Sequence, residues 1–280
     1  MKRLVLLLTM LLMAAPVAFG ADCEYSCVAP YDTSSKVSSF FSTISGSKLI
    51  KTKISEKIVK KSIAKTVKGG DLKVDIDSYS AKDLNNGIFK SGTITGKNVN
   101  VDGIYLSSLE LKTLCYFNYI QYDKKGNLTF KEDLPLSFKL GMSADDINNT
   151  MKSSRYQKII NDVNKLGFAG ISVSSTKASI RSNKFYYDIY ISIPFMKDIK
   201  LELTADVKVK NGAIDFENTR FTSNSLKLDL KKIDFLMQYL NPLDFSVNIF
   251  DKKDAKVYIK NIAIKNNIIV TDGVVIVPKD

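Results

Sequence analysis

Between Ile50 and Val67 the hydrophobic positions recur every four residues, in two rows: Ile50, Ile54 and Ile58, then Val59, Ile63 and Val67. That spacing predicts a helix over residues 47–67, closed by Gly69-Gly70. At about 100° per residue the two rows point to different sides, so this helix is apolar over a wide arc. One flat membrane surface cannot take both rows, whereas a surrounding protein wall can. The interspersed lysines, among them Lys53, Lys57, Lys60 and Lys61, keep a basic membrane-surface helix as the competing reading.

After Gly70 the period drops to two. Leu72, Val74 and Ile76 alternate with Lys73, Asp75 and Asp77, which predicts a strand. Ile94, Val99, Val101, Ile104, Leu106, Leu109 and Leu111 mark long strands broken at Gly96 and Gly103, and Leu134 to Leu140 alternates again. Ser143-Ala144-Asp145-Asp146 is a capping-box start. It opens a second helix through Ile147, Met151, Ile159, Ile160, Val163 and Leu166, stopped by Gly167. Beyond Phe168 the chain reads as hairpins, with turns at Asn183-Lys184, Asn211-Gly212 and Asn266-Asn267. A third, short helix spans residues 231–240 and ends at Asn241-Pro242. Phe245, Val247 and Ile249 then read as strand. No fixed-period repeat occurs, so the β part is a meander. The class expected is α+β, mostly β: antiparallel strands, a long N-terminal amphipathic helix and two further short helices.

The first residues change the picture from fold to compartment. Met1-Lys2-Arg3 is a basic start, Leu4 to Ala15 is apolar apart from Thr9, and Ala18-Phe19-Gly20 is a small-x-small site. Residues 1–20 therefore read as a cleaved signal peptide, with the mature chain starting at Ala21 in the periplasm or extracytoplasmic envelope. The apolar run stops at Pro16, short of the ~20 residues of a spanning helix. Lipidation at Cys23 is the other alternative, and Gly20-Ala21-Asp22 fits it poorly. Residues 21–41 read as a mobile lead-in, and 42–280 as one continuous domain. Cys23 and Cys27, four apart in an exported chain, are expected to pair with each other. Cys115, inside an apolar run, reads as a small buried hydrophobe.

Composition narrows the chemistry. Removing Lys2 and Arg3 leaves 39 basic against 29 acidic residues. That excess points to solubility and weak attraction to anionic surfaces, not to nucleic acid, because only three arginines, Arg155, Arg181 and Arg220, then remain to supply the bidentate fork of specific readout. With no histidine in the chain, the commonest general base and most zinc sites are excluded. Three carboxylate pairs remain: Asp75/Asp77, Asp145/Asp146 and Glu132/Asp133. They read as a solvated strand face, a helix start and a turn, so no catalytic residue, metal site or cofactor is expected.

The order of features then becomes specific. The helix is followed by the strand LKVDIDS, Asp83-Leu84, Gly87, and G-x-x-V-x-V-x-G over residues 96–103. The helix start Ser143-Ala144-Asp145-Asp146-Ile147-Asn148 comes next. Leu240-Asn241-Pro242-Leu243 and a V-x-I-x-x-I-x-I-x-N-N-I-I-V-x-D-G run over residues 257–273 close the set. This order resembles the LmeA-like family of bacterial envelope phospholipid-binding proteins, of the TULIP-like fold group, over residues 42–280. The resemblance implies a highly curved antiparallel sheet wrapped around the long helix. It also implies that phospholipid acyl chains lie between the two, bound but not turned over. On the helices, Ile50, Ile54, Ile58, Ile63, Leu236, Met237 and Leu240 are the expected lipid-binding residues, with ordinary core packing as the competing reading of each. The expected partners are phospholipid or another acyl lipid and an anionic membrane surface. Two other functions compete: a structural or adhesive envelope protein binding anionic cell-wall polymer through its lysines, and a hydrolase using one carboxylate pair.

Overall fold

The computed structural model describes residues 25–31, 33, 53, 56, 57, 59, 60, 63, 66–122, 128–165, 172–192, 199–223, 239–247 and 254–280. Its β-elements are β1 (Val67–Lys68), β2 (Asp71–Asp77), β3 (Ile88–Phe89), β4 (Ser91–Val101), β5 (Ile104–Thr113), β6 (Asn118–Tyr122), β7 (Leu128–Phe130) and β8 (Leu134–Ser143). They continue with β9 (Ser172–Arg181), β10 (Lys184–Ser192), β11 (Ile199–Lys210), β12 (Ala213–Ser223), β13 (Lys256–Lys265) and β14 (Ile268–Val277). The helices are α1 (Ala81–Asn85), α2 (Ala144–Met151), α3 (Ser154–Lys165) and α4 (Pro242–Val247).

Turn chemistry builds the hairpins. Asp102-Gly103, Ser182-Asn183, Asn211-Gly212 and Asn266-Asn267 all have both φ values positive. Two-residue turns of this kind match the right-handed strand twist, and Asn, Asp and Gly tolerate them best. Every strand pairing is antiparallel. The strands form a seven-stranded sheet in the order β1-β4-β5-β8-β14-β13 with β2 also on β4, a four-stranded sheet β12-β11-β10-β9, and a small sheet β3-β6-β7.

The seven-stranded and four-stranded sheets bury their inner faces in one apolar cluster. Helix α2 lies between them, against β5 and β8 on one side and β9 on the other. The helices also finish the open edge of β9. The Asn148 amide of α2 exchanges two hydrogen bonds with the Ala178 backbone, at 2.8 and 2.9 Å. The Asn164 amide of α3 does the same for Val173, at 2.7 and 3.0 Å. Two side chains thus stand in for a neighbouring strand and keep this edge from templating another chain.

Several expectations are corrected here. The molecule is mostly β, but it is not one curved sheet wrapped around a long N-terminal helix. Six residues, Lys53, Glu56, Lys57, Val59, Lys60 and Ile63, are helical, yet no long N-terminal helix is among the described elements. Val67, expected to end that helix, pairs with Val101 as part of β1. The described helices are short, the longest being the twelve residues of α3, and α2, α3 and α4 supply helical core. The second expected helix is two, because the chain turns at Lys152-Ser153. Asn241-Pro242 does not lead into a strand. It opens α4, because the Asn241 side chain accepts from Leu243 N at 3.0 Å and proline suits a first helical turn.

The expected Cys23–Cys27 pairing is also corrected. Cys27 bonds to Cys115, with Cα atoms 5.5 Å apart across 88 positions of sequence, and Cys23 lies outside the described residues. Cys115 is therefore a cross-link and not a lone apolar thiol. It holds part of the segment expected to lead in freely against the small sheet, where the Tyr31 ring packs 4.8 Å from Phe117 and 5.7 Å from Tyr119. Local spacing favoured the nearer cysteine; the fold places the distant one within bonding range.

Candidate functional site

Strand registry lines up the inner face of the seven-stranded sheet in lateral rows. One row runs Val74, Ile94, Leu111, Phe138, Gly273, Ile259 across β2, β4, β5, β8, β14 and β13. The next runs Leu72, Gly96, Leu109, Leu140, Thr271, Ile262. Neither contains an ionisable group. Leu140, Leu109 and Phe138 are buried, whereas Leu72, Ile76, Ile94, Leu111 and Leu136 are only half-buried. An apolar face thus runs from the closed core out to a stretch over β2, β4, β5 and β8 whose cover is incomplete. This stretch is the candidate ligand surface.

A phase slip in the sequence limits the stretch. On β5 the buried positions are Ile104 and Leu106, then Leu109 and Thr113; on β4 they are Gly96, then Val99. Both strands change parity at the same level, where Asn98 has φ 51. Beyond that level β5 turns its other side to α2, and Tyr105 N donates to Thr150 Oγ1 at 2.9 Å.

Of the seven residues expected to bind lipid, Ile50, Ile54, Ile58, Leu236 and Met237 lie outside the described residues. Ile63 is half-buried. Leu240 is fully buried, and its carbonyl accepts from Tyr156 Oη at 2.7 Å and Tyr187 Oη at 3.0 Å. The two hydroxyls are also 2.7 Å from each other. Burial raises both phenols above their ordinary value, Tyr156 strongly. They stay neutral and keep this polar knot intact. Tyr187 takes an ordinary inward position of β10, and nothing in the alternation announced the knot.

Among the described residues, Asp244, on α4, is the one carboxylate raised to about 6. Burial is the main cause, the Asn241 amide at 2.7 Å opposes it, and Asp215 adds to it. The folded state therefore favours the protonated acid. Stability associated with Asp244 is full below the unfolded pKa and lost as pH rises through about 6. Asp244→Asn should raise stability at neutral pH by about 1–3 kcal/mol and remove this part of the pH slope. Urea midpoints at about pH 4 and about pH 8 check it, and an unchanged slope in the variant would refute it.

The three carboxylate pairs all have places in the framework. Asp75 and Asp77 point outward to Lys73 and Lys90 at 3.1 and 3.6 Å. Asp146 closes the capping box with Ser143 and accepts from Ser107, beside an exposed Asp145. Glu132 accepts from Tyr31 Oη at 3.2 Å, and Asp133 accepts from Lys279 N at 2.9 Å. Among the described residues no three His, Cys, Asp or Glu side chains gather as a metal site. The outer face of the sheet is mixed in charge, with a row reading Lys73, Thr95, Glu110, Lys139, Asp272, Asn261. An open cavity of about 480 Å³ on that face is lined by Lys73, Lys97 and Lys139 but also by Asp71 and Glu110. Compared with known proteins, the chain matches no protein family, no curated protein and no solved structure.

Proposed function

We propose that this chain is an exported binding protein for phospholipid or a similar acyl lipid, acting by binding and not by turnover. The observation that carries the reading is the charge-free inner face of β2, β4, β5 and β8. Its aliphatic rows continue from the sealed core to the half-buried Leu72, Ile94 and Leu111. Acyl chains are non-directional ligands; they need apolar area, at about 25 cal/mol per Å² removed from water, and few polar anchors. The Cys27–Cys115 bond supports export, since disulfides persist in oxidising compartments. The resemblance of the ordered motifs to LmeA-like envelope proteins supports the same ligand class. The polyanion-binding reading gains nothing from the outer face of the seven-stranded sheet, where Lys73 and Lys139 share a row with Glu110 and Asp272.

Organic extraction and native mass spectrometry of the purified protein test the reading. Phospholipid should co-purify. Leu111→Trp, which fills the half-covered stretch, should reduce the bound lipid several-fold with little change in melting temperature. A protein that binds no acyl lipid from vesicles or extract would sink the proposal. So would a Leu111→Trp variant that unfolds like an overpacked core, losing about 1–3 kcal/mol.

A further inference from the structure

The half-covered apolar face has two unlike ends. On β4 its inward positions are Gly92, Ile94 and Gly96, a span of about 14 Å along the strand. Toward Gly96 the face is closed by hydrocarbon. Val99 is fully buried, and a Cβ on Gly96 would stand 2.9 Å from Val99 Cγ1. Toward Gly92 it turns polar. The Thr113 hydroxyl accepts from Gly92 N at 3.0 Å, which leaves its own proton to donate. The inward alternation of β2 runs on past Ile76 to Ser78, which is 1% exposed. Ser78 Oγ has no hydrogen-bond partner among the described residues. The backbone around it is braced: Lys90 N donates to the Asp77 carbonyl at 2.8 Å, and the Asn118 amide donates to the Lys90 carbonyl at 3.0 Å.

A buried hydroxyl without a partner is costly, and an acceptor supplied by a ligand removes that cost. A hydrocarbon chain offers no acceptor; the ester carbonyl that joins it to glycerol does. The charged groups near this end are occupied. Asp77 and Lys90 pair at 3.6 Å, and the buried Asp83 accepts from Ser80 Oγ at 2.6 Å. A neutral acceptor therefore fits this end better than a phosphate. We propose that Ser78 and Thr113 donate to the ester carbonyl of a bound acyl lipid, whose chain runs along β4 with its methyl end stopped at Val99. The proposal rests on the acyl-lipid reading and adds to it the ester linkage and the direction of the chain.

Phosphatidylcholine and its ether-linked analogue, which lacks the carbonyls, are the probes. The protein should hold the ester lipid about fivefold more tightly. Ser78→Ala should erase that preference with an unchanged melting temperature, since the hydroxyl it removes has no partner in the fold. Equal binding of the two lipids by the parent protein overturns the proposal. So does a Ser78→Ala variant that keeps the preference but melts lower. That result would give the hydroxyl to a water shared with Asn118 Oδ1, which also lacks a partner. Phosphatidylcholine carrying a photoactivatable diazirine reports the direction. A diazirine at the end of the acyl chain should label Val99 or Leu109, and one beside the carbonyl should label Ile76 or Thr113. The reverse pattern overturns the proposed direction while upholding a bound acyl chain. A protein that binds neither lipid loses the acyl-lipid reading itself, and this site with it.

Discussion

Cys115→Ala, or equally Cys27→Ala, should cost about 4–5 kcal/mol, the largest loss expected from a single change in this protein. The bond joins residues 88 apart, so opening it frees a long loop in the unfolded chain. The folded side adds to the effect. The small sheet it secures has strands of two, five and three residues, too few to hold a tip on ladder bonds alone. The Tyr31 contacts to Phe117 and Tyr119 should loosen with it. Denaturant melts with and without reductant measure the cost, and a non-reducing digest identifies the pairing. A Cys23–Cys27 peptide in that digest, or a Cys115→Ala variant as stable as the parent, would contradict the cross-link.

Gly273→Ala should cost about 3 kcal/mol or more, a large effect for one added methyl. A Cβ at Gly273 would stand 2.0 Å from the Tyr258 carbonyl oxygen and 2.8 Å from the Phe138 ring. The ring can rotate; the carbonyl belongs to β13 and can yield only if the β13–β14 pairing opens. Gly92→Ala is the control. Its nearest neighbours would be the Phe89 ring at 3.4 Å and a Thr113 methyl at 3.9 Å, so its cost should stay below about 1 kcal/mol. Thermal melts of both variants decide the matter. Equal, small losses would mean that β13 is not held over Gly273 as described.

Much of the β architecture was legible because its causes are local. Asn211-Gly212 and Asn266-Asn267 tolerate the positive φ that a two-residue hairpin needs, and alternation on β2, β8 and β10 fixes which side chains face inward. The capping box at Ser143 was legible for the same reason: two backbone N–H groups and two side chains, three residues apart, define it. The missing histidine narrowed the candidate chemistry without identifying any.

What the sequence could not determine depends on residues brought together from far apart. Cys27 had a cysteine four positions away, and only the packing of the small sheet set Cys115 at 5.5 Å instead. Phe245 and Val247 alternate like a strand but lie in α4, because Asn241 and Pro242 start a helix that the core then buries. The helical period of residues 50–67 could not say where the strands begin, and pairing with β4 drew Val67 into β1. Leu240 was readable as apolar. That its carbonyl collects two tyrosine hydroxyls from α3 and β10 is a property of the assembled core. The division follows from range. Turns, caps and alternation are governed by backbone sterics and hydrogen bonds within a few residues. Cross-links, buried polar knots and the half-covered apolar face depend on contacts that exist only once the sheets have packed.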